Sequence, residues 1–252
     1  MVSLLSDPEK VRRLLDEEHE LNSMVIARVF SNDPGRKVYV DDPDEPHGVM
    51  TLQKGKPDFC TIYADNEASF LDLIEVLESG KEYEFSGMRD IYIPLLEKKF
   101  EITETNPCWF FILGEEGVRG EVRHDVVSLN EDDIETVAQN WEFFDGSYDH
   151  VKDRVVNGMS AAIREDGKLI GWDATHFETD KVVMLGFLFV FEEYRKGGYA
   201  TSMCVDLTKR IVEKGKKPVF YVVKDNEPSV QFSLKIGYEI VDSHSWVTGV
   251  KK

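Results

Sequence analysis

The sequence predicts an α+β chain whose mostly antiparallel sheet is flanked by helices, and three observations carry that reading. Strand-like stretches at 159–164, 168–177 and 181–191 are joined by the four-residue turns EDGK and ETDK, the length of a hairpin connection. After Gly198 the apolar spacing changes from alternation to three or four, through Ala200, Cys204, Leu207 and Ile211. A hydrophobic fraction of 42% in 252 residues is enough for real cores and excludes a disordered chain.

In order along the chain, Asp7-Pro8 predicts a helix start, with Val11, Leu14 and Leu15 on one stripe. Strands are expected at 37–40, 48–52 and 59–63, around the turn-rich DDPDEPHG. Phe70, Ile74 and Leu77 recur at helical spacing within 67–78, and short strands at 83–86 and 108–113 bracket a helical-looking 90–100. The glycine-rich, charged GEEGVRGE at 114–121 has no apolar period and is the expected linker between domains at 1–118 and 119–252. Beyond it the pattern restarts with a strand at 122–129, a helix capped by Asn130 and a second helix at 148–157. A helix from Gly198 to Gly215, a strand at 218–223, a short helix from 227 and a strand from 238 complete the chain.

The formal charge of -18 is unevenly spread. Residues 1–118 hold 12 basic and 25 acidic side chains, against 18 and 23 in 119–252. An acidic surface opposes phosphate neutralisation, so nucleic acid is not an expected partner. No apolar run approaches a membrane span and the N-terminus lacks a signal-peptide pattern, so the expectation is a cytoplasmic protein without a membrane partner. Cys60, Cys108 and Cys204 lie far apart and form no CxxC pair, which leaves no expected metal or redox centre.

Chemistry concentrates in Phe187–Tyr199, FLFVFEEYRKGGY, where an apolar strand enters a glycine turn and then a helix. A helix N-terminus offers unpaired N–H groups and partial positive charge, and glycines let the main chain approach a phosphate. Arg195 and Lys196 add two cations, and 190–217 carries seven basic against four acidic residues. A nucleotide P-loop is disfavoured, since no G-K-[ST] follows the glycines.

Arg195-Lys-Gly-Gly198-Tyr-Ala200, opening a helix after an apolar strand, resembles the R-x-x-G-x-A acetyl-CoA loop of the GNAT superfamily of N-acetyltransferases. Asn226-Glu-Pro-Ser229-Val-Gln-Phe232-Ser-Leu-Lys-Ile-Gly237-Tyr238 is similar to that superfamily's second signature, in family order and spacing. Gly171-Trp172 and KVYVDDPDEPHGVM resemble more loosely the two-domain glycine N-acyltransferase-like and FR47-like branch, where a diverged N-terminal copy precedes the CoA-binding half. The resemblance implies tandem GNAT-type domains, the first degenerate, and acetyl transfer from acetyl-CoA to a primary amine of a small molecule or peptide by direct attack.

It further implies that main-chain groups of Leu188, Phe189 and Val190 face the pantetheine arm while their side chains remain core. The amides from Lys196 through Gly197, Gly198, Tyr199, Ala200 and Thr201 would hold the pyrophosphate, with Arg195 at the entrance. Asn226 would contact CoA, and it is equally an ordinary helix cap. The chain departs from the family at two places: Met184 stands where many members carry a glutamate base, and Ser233 where many carry an acid tyrosine. Substitute groups lie on GWDATHF, where alternation places Trp172, Ala174 and His176 on one face and Asp173 on the other. His176 titrates in the useful range and is the first candidate base, Asp173 the second; the alternative is a structural histidine. Trp141 and Trp172 are candidate walls of an acceptor pocket. The rival reading is a CoA-binding sensor that has lost catalysis.

Overall fold

The computed structural model describes residues 1–141 and 147–252. The chain forms two compact units, one of Met1–Phe110 with Asp242–Lys252 and one of Phe111–Val241. The return of the last eleven residues to the first unit is a long-range pairing that no local pattern announced.

In the first unit Asp7 accepts the Glu9 N–H at 3.0 Å and caps a 3-10 turn, Pro8–Val11, that leads into α1 (Arg12–Asp16). Val11, Leu14 and Leu15 pack with Val25, Ile26 and Val29 of α2 (Ser23–Val29) over Val40 and Val49. Strands β1 (Ser3–Leu4), β2 (Arg36–Val40), β3 (Gly48–Gln53) and β4 (Asp58–Ala64) are antiparallel neighbours in that order. β4 leads through α3 (Glu67–Glu75), capped by Asn66, to β5 (Glu82–Arg89). β4 and β5 pair in parallel only from Asp58↔Tyr83 to Cys60↔Phe85. Residues 242–251 of the final strand continue the sheet beyond β5. The expected helix at 90–100 is shorter, a 3-10 turn at Asp90–Tyr92 and α4 (Ile93–Leu96), because Phe100 already begins β6 (Phe100–Leu113).

The second unit repeats this order. α5 (Ile134–Gln139) and α6 (Ser147–Asn157) precede β7 (Ser160–Glu165), β8 (Lys168–Glu178) and β9 (Val182–Leu185), which are antiparallel neighbours as the hairpin-length turns require. The single strand expected at 181–191 is broken: β9 stops at Leu185 and β10 (Phe189–Val190) resumes the pairing with β8. α7 (Tyr199–Glu213) connects to β11 (Lys217–Val223), and α8 (Glu227–Lys235) to β12 (Tyr238–Lys251). β11 runs parallel to β9 only from Lys217↔Val182 to Val219↔Met184.

The strand expected at 122–129 does not form; its one ladder contact is the bridge Val127↔Ala162. The glycine-rich 114–121 is instead held on the α8–β12 corner, with Gly114 N–H on Gly237 O at 3.0 Å and Arg119 N–H on Ile236 O at 2.8 Å. Among the described residues no helix is long and apolar enough to cross a membrane.

Candidate active site

In the second unit the main chain between β9 and α7 builds a gap and an anion cradle. Past Met184 and Val219 the parallel partners separate, while β10 stays with β8 through Phe189↔Trp172 and Val190↔Gly171. Phe191 N–H bonds Ile170 O at 3.1 Å. By strand alternation Phe189 therefore directs its main chain at β8, and Val190 turns both N–H and C=O away from β8. The Val190 carbonyl accepts Arg195 Nε at 3.1 Å, which folds the arginine back along the strand. Leu188 belongs to neither paired strand and is 41% exposed, whereas Phe187 is buried and Phe189 stacks on Trp172 at 4.7 Å.

The strand then makes a 3-10 turn, Glu192–Tyr194, and Lys196 and Gly198 both adopt left-handed backbone, with φ of 69° and 84°. Such a φ costs a residue with a Cβ, so the positive turn at Gly198 selects glycine. Gly197 has a different constraint: a Cβ there would lie 2.5 Å from the Tyr199 ring. Ser202 N–H makes the helix's first bond, to Gly198 O at 3.1 Å, so the amides of Tyr199, Ala200 and Thr201 have no intrahelical partner. The first turn of α7 holds no acidic residue. A Cβ added at Gly198 would have its nearest neighbour at 3.7 Å, so the space above that amide is open. Left-handed backbone, exposed amides, cations and open space together fit a pyrophosphate.

His124 is a member of this cradle that sequence reasoning missed. Its Nε2 lies 3.0 Å from Gly197 O and its ring 4.2 Å from that of Tyr199, whose hydroxyl donates to Glu165. The only sequence signal was a histidine in a stretch read as strand.

The candidate bases occupy opposite faces of β8. Asp173 is 2% exposed beneath α7 and accepts the Cys204 thiol at 3.2 Å, with its other oxygen unpartnered. Desolvation raises its pKa to about 6, against smaller lowering by Cys204 and the Ala174 amide. His176 lies on the other face with Trp141 (5.1 Å between rings) and Phe187 (4.5 Å), and its Nδ1 is 3.0 Å from Nε2 of His150 on α6. The Cδ2–Nε2 edge of His176 lies against Gly186, in the break between β9 and β10: a Cβ at 186 would sit 2.0 Å from Cδ2. Gly186 in an apolar strand was the available signal for a close approach there. Trp141 is partly buried beside His150 and Phe187, while Trp172 is buried and belongs to the core with Ala174.

The two downstream candidates are occupied locally. Asn226 accepts the Ser229 N–H and caps α8. Ser233 is 3% exposed and donates its hydroxyl to Ser229 O at 2.8 Å in its own helix. Met184 is fully buried in β9, and its thioether cannot serve as the base that a glutamate would supply there. An open cavity of about 520 Å³ lies towards the other end of α7, beside Ser160 and Lys214. Its Arg210 is committed to Asp206 and the Ser160 carbonyl, and a helix C-terminus disfavours anions, so that cavity is not a phosphate site. Among the described residues no cluster of three His, Cys, Asp or Glu is arranged to hold a metal ion.

This order of elements, with a splayed parallel pair leading into a helix N-terminus, is the GNAT fold. Residues 158–247 match the family described as FR47-like protein. The chain has a tandem arrangement of that fold, and most of the FR47-like segment lies in its second unit. A Drosophila protein of known structure is similar over 99% of this chain and 98% of its own, at 15% identity and a TM-score of 0.74. A GNAT-family acetyltransferase from Colwellia psychrerythraea covers 100% of both chains at 11% identity and TM-score 0.63. A tandem GNAT protein from the clavulanic acid biosynthesis pathway covers 98% of both at 12% identity and the same TM-score. No curated protein matches the chain in sequence.

Proposed function

We propose that the second unit is an N-acetyltransferase that takes acetyl-CoA and acetylates a primary amine of a small molecule or peptide by direct attack. The observation that carries this reading is the sequence of main-chain features from Val190, turned to the gap, to the open N-terminus of α7 at Gly198. The pantetheine arm pairs with the strand edge at Leu188 and Val190, and the amides from Lys196 to Thr201 hold the pyrophosphate with Arg195 at its side. An alkyl ammonium of pKa near 10.4 must lose a proton before it attacks the thioester carbon. In this reading His176 accepts that proton, supported by its edge lying against Gly186 beside the gap, whereas Asp173 is sealed under α7. The Val190 N–H stabilises the developing oxyanion, and Arg195 must release the neighbouring carbonyl as substrate enters. Collapse of the tetrahedral species expels CoA thiolate, which takes its proton from solvent, since the Ser233 hydroxyl is engaged in its own helix.

Calorimetric titration of acetyl-CoA into the protein and into Gly198→Trp tests the cradle, and a thiol-release screen of amines tests transfer. Binding lost in the variant, with thiol released for some amine, is the expected result. Binding without turnover for any amine would establish the CoA-binding sensor instead, and absence of binding by the unaltered chain would overturn the assignment.

A further inference from the structure

We infer that His150 is a positioning residue that selects the tautomer of His176, an inference that rests on the assignment of His176 as base. The two rings come from different elements, α6 and β8, and meet with Nε2 of His150 3.0 Å from Nδ1 of His176. Their planes are inclined by 28° with centroids 5.3 Å apart, and Phe187 lies against both at 5.8 and 4.5 Å. Trp141 closes on the same two rings. This aromatic frame fixes which nitrogen of His176 faces which neighbour: Nδ1 faces His150, and the Nε2 edge lies against Gly186 in the strand that borders the gap.

A neutral imidazole carries one proton on one nitrogen, and a base acting through Nε2 must hold that proton on Nδ1. His150 supplies the partner that makes this tautomer the stable one, accepting Nδ1–H at its own Nε2 and keeping its own proton on Nδ1. When an acceptor ammonium gives a proton to Nε2 of His176, the Nδ1–H···Nε2 bond to neutral His150 becomes charge-assisted and stabilises the imidazolium. After attack the amide nitrogen sheds its second proton to solvent, thiolate gains one, and His176 returns its proton to water, so the net products are amide, CoA thiol and one released proton. On α6, Asp153 lies one turn beyond His150, beside Arg154. Burial alone would raise the Asp153 pKa, but hydrogen bonds from Asn157 and Arg154, with His150 nearby, hold it below the usual carboxylate range. Asp153 thus supplies a negative charge beside His150, and Gly186 and Phe187 add none from the strand side.

Two variants test this. His150→Phe keeps a flat ring in the aromatic frame and removes the acceptor; His150→Gln offers a carbonyl oxygen where Nε2 was. Long-range ¹⁵N–¹H correlation on the free protein reads the His176 tautomer whether or not an acceptor amine has been found. The expected result is an Nδ1–H tautomer in the unaltered protein and in His150→Gln, and an Nε2–H or mixed state in His150→Phe. Where turnover is measured, kcat in His150→Phe falls about tenfold to hundredfold with KM for acetyl-CoA unchanged, its limb on the acidic side of the pH profile moves, and His150→Gln restores most of the rate. An unchanged His176 tautomer in His150→Phe overturns the inference, even if the rate falls. A chain that shows the expected tautomers but acetylates no amine would overturn the proposed function and leave the positioning geometry standing.

Discussion

The two units build the same splayed pair of parallel strands and finish it differently. In the first, β4 leaves β5 after Cys60, and four residues on, both main-chain groups of Ala64 meet the Tyr92 hydroxyl: it donates to Ala64 O at 2.7 Å and accepts from Ala64 N–H at 3.3 Å. In the second, β9 leaves β11 after Met184, and Leu188 stands at the matching offset, 41% exposed. Tyr92 lies three residues past the end of β5, as Asn226 lies three past the end of β11. One residue position therefore fills the gap in one unit and caps a helix in the other. The connections to the next helix differ too. The first unit goes from Ala64 through Asp65, Asn66 and Glu67, where the carboxylates of Asp65 and Glu67 repel phosphate, and the second through Arg195, Lys196 and two glycines. A shared fold keeps the splay, while in the first unit a tyrosine hydroxyl occupies the Ala64 main chain and two carboxylates stand in the turn where an anion would be opposed.

The largest effect expected from this difference is on binding. Gly198→Trp combines a disfavoured φ with a bulky side chain over the exposed amides, and acetyl-CoA affinity should fall more than about a hundredfold by calorimetry. The corresponding first-unit change, Asn66→Trp at the α3 cap, should leave affinity and a stoichiometry of one per chain untouched. Two sites per chain would break the comparison. Next in size is Gly186→Val, which places side-chain atoms where the His176 ring lies; kcat should drop about a hundredfold while acetyl-CoA binding persists.

These two glycines also mark where the sequence was legible and where it was not. Gly198 could be read because its role is local: a strand, a turn that needs positive φ and a helix follow one another in the chain. The hairpins of β7 to β9 were legible for the same reason. Gly186 could not be assigned a partner, because His176 lies on another strand and His150 on a helix, and only the folded register brings the three together. The failed strand at 122–129 shows the converse. Its Val-Arg-His-Asp-Val-Val alternation has β propensity, but it obtains one bridge to β7 and a loop contact at Gly197, so tertiary partners decided the outcome.

Each unit also buries a carboxylate, and the pair should separate by pH. Asp58 is desolvated, which alone would raise its pKa, but bonds from Lys81, Lys54 and the Gly55 amide bring it down to about 2. Its contribution is present above the unfolded value near 3.9 and is lost as pH falls towards 2. Asp173 is shifted the other way, to about 6, so its folded form favours the proton and stability declines as pH rises from about 4 to about 6. Above that range the penalty is on the order of 2 to 3 kcal/mol. Asp173→Asn should therefore raise stability towards denaturant at pH 7.5 and change little at pH 4. A variant destabilised equally at both pH values would show that the ionised carboxylate has a favourable partner and would remove this contrast between the units.

The smallest effect should come from Tyr92→Phe, and it bears most directly on how the first unit occupies the main chain of Ala64 beyond the splay. The change removes one hydroxyl that is both donor and acceptor, and leaves the ring stacked on Phe70 at 4.8 Å. Burial raises the Tyr92 pKa to about 12, so the hydroxyl is neutral throughout the working range and the effect should not depend on pH. Ala64 is 4% exposed, so its N–H and C=O would lose their partner without gaining free access to water. The cost should be about 1 to 2 kcal/mol in a denaturation curve, with acetyl-CoA affinity unchanged. If Tyr92→Phe instead created a second, weak acetyl-CoA site, the hydroxyl would be the sole block and the acidic turn at Asp65 and Glu67 would carry no weight. Unchanged stoichiometry, restored to two only when Asp65 and Glu67 are also neutralised, would show that the first unit excludes the cosubstrate twice, once along the strand and once at the helix.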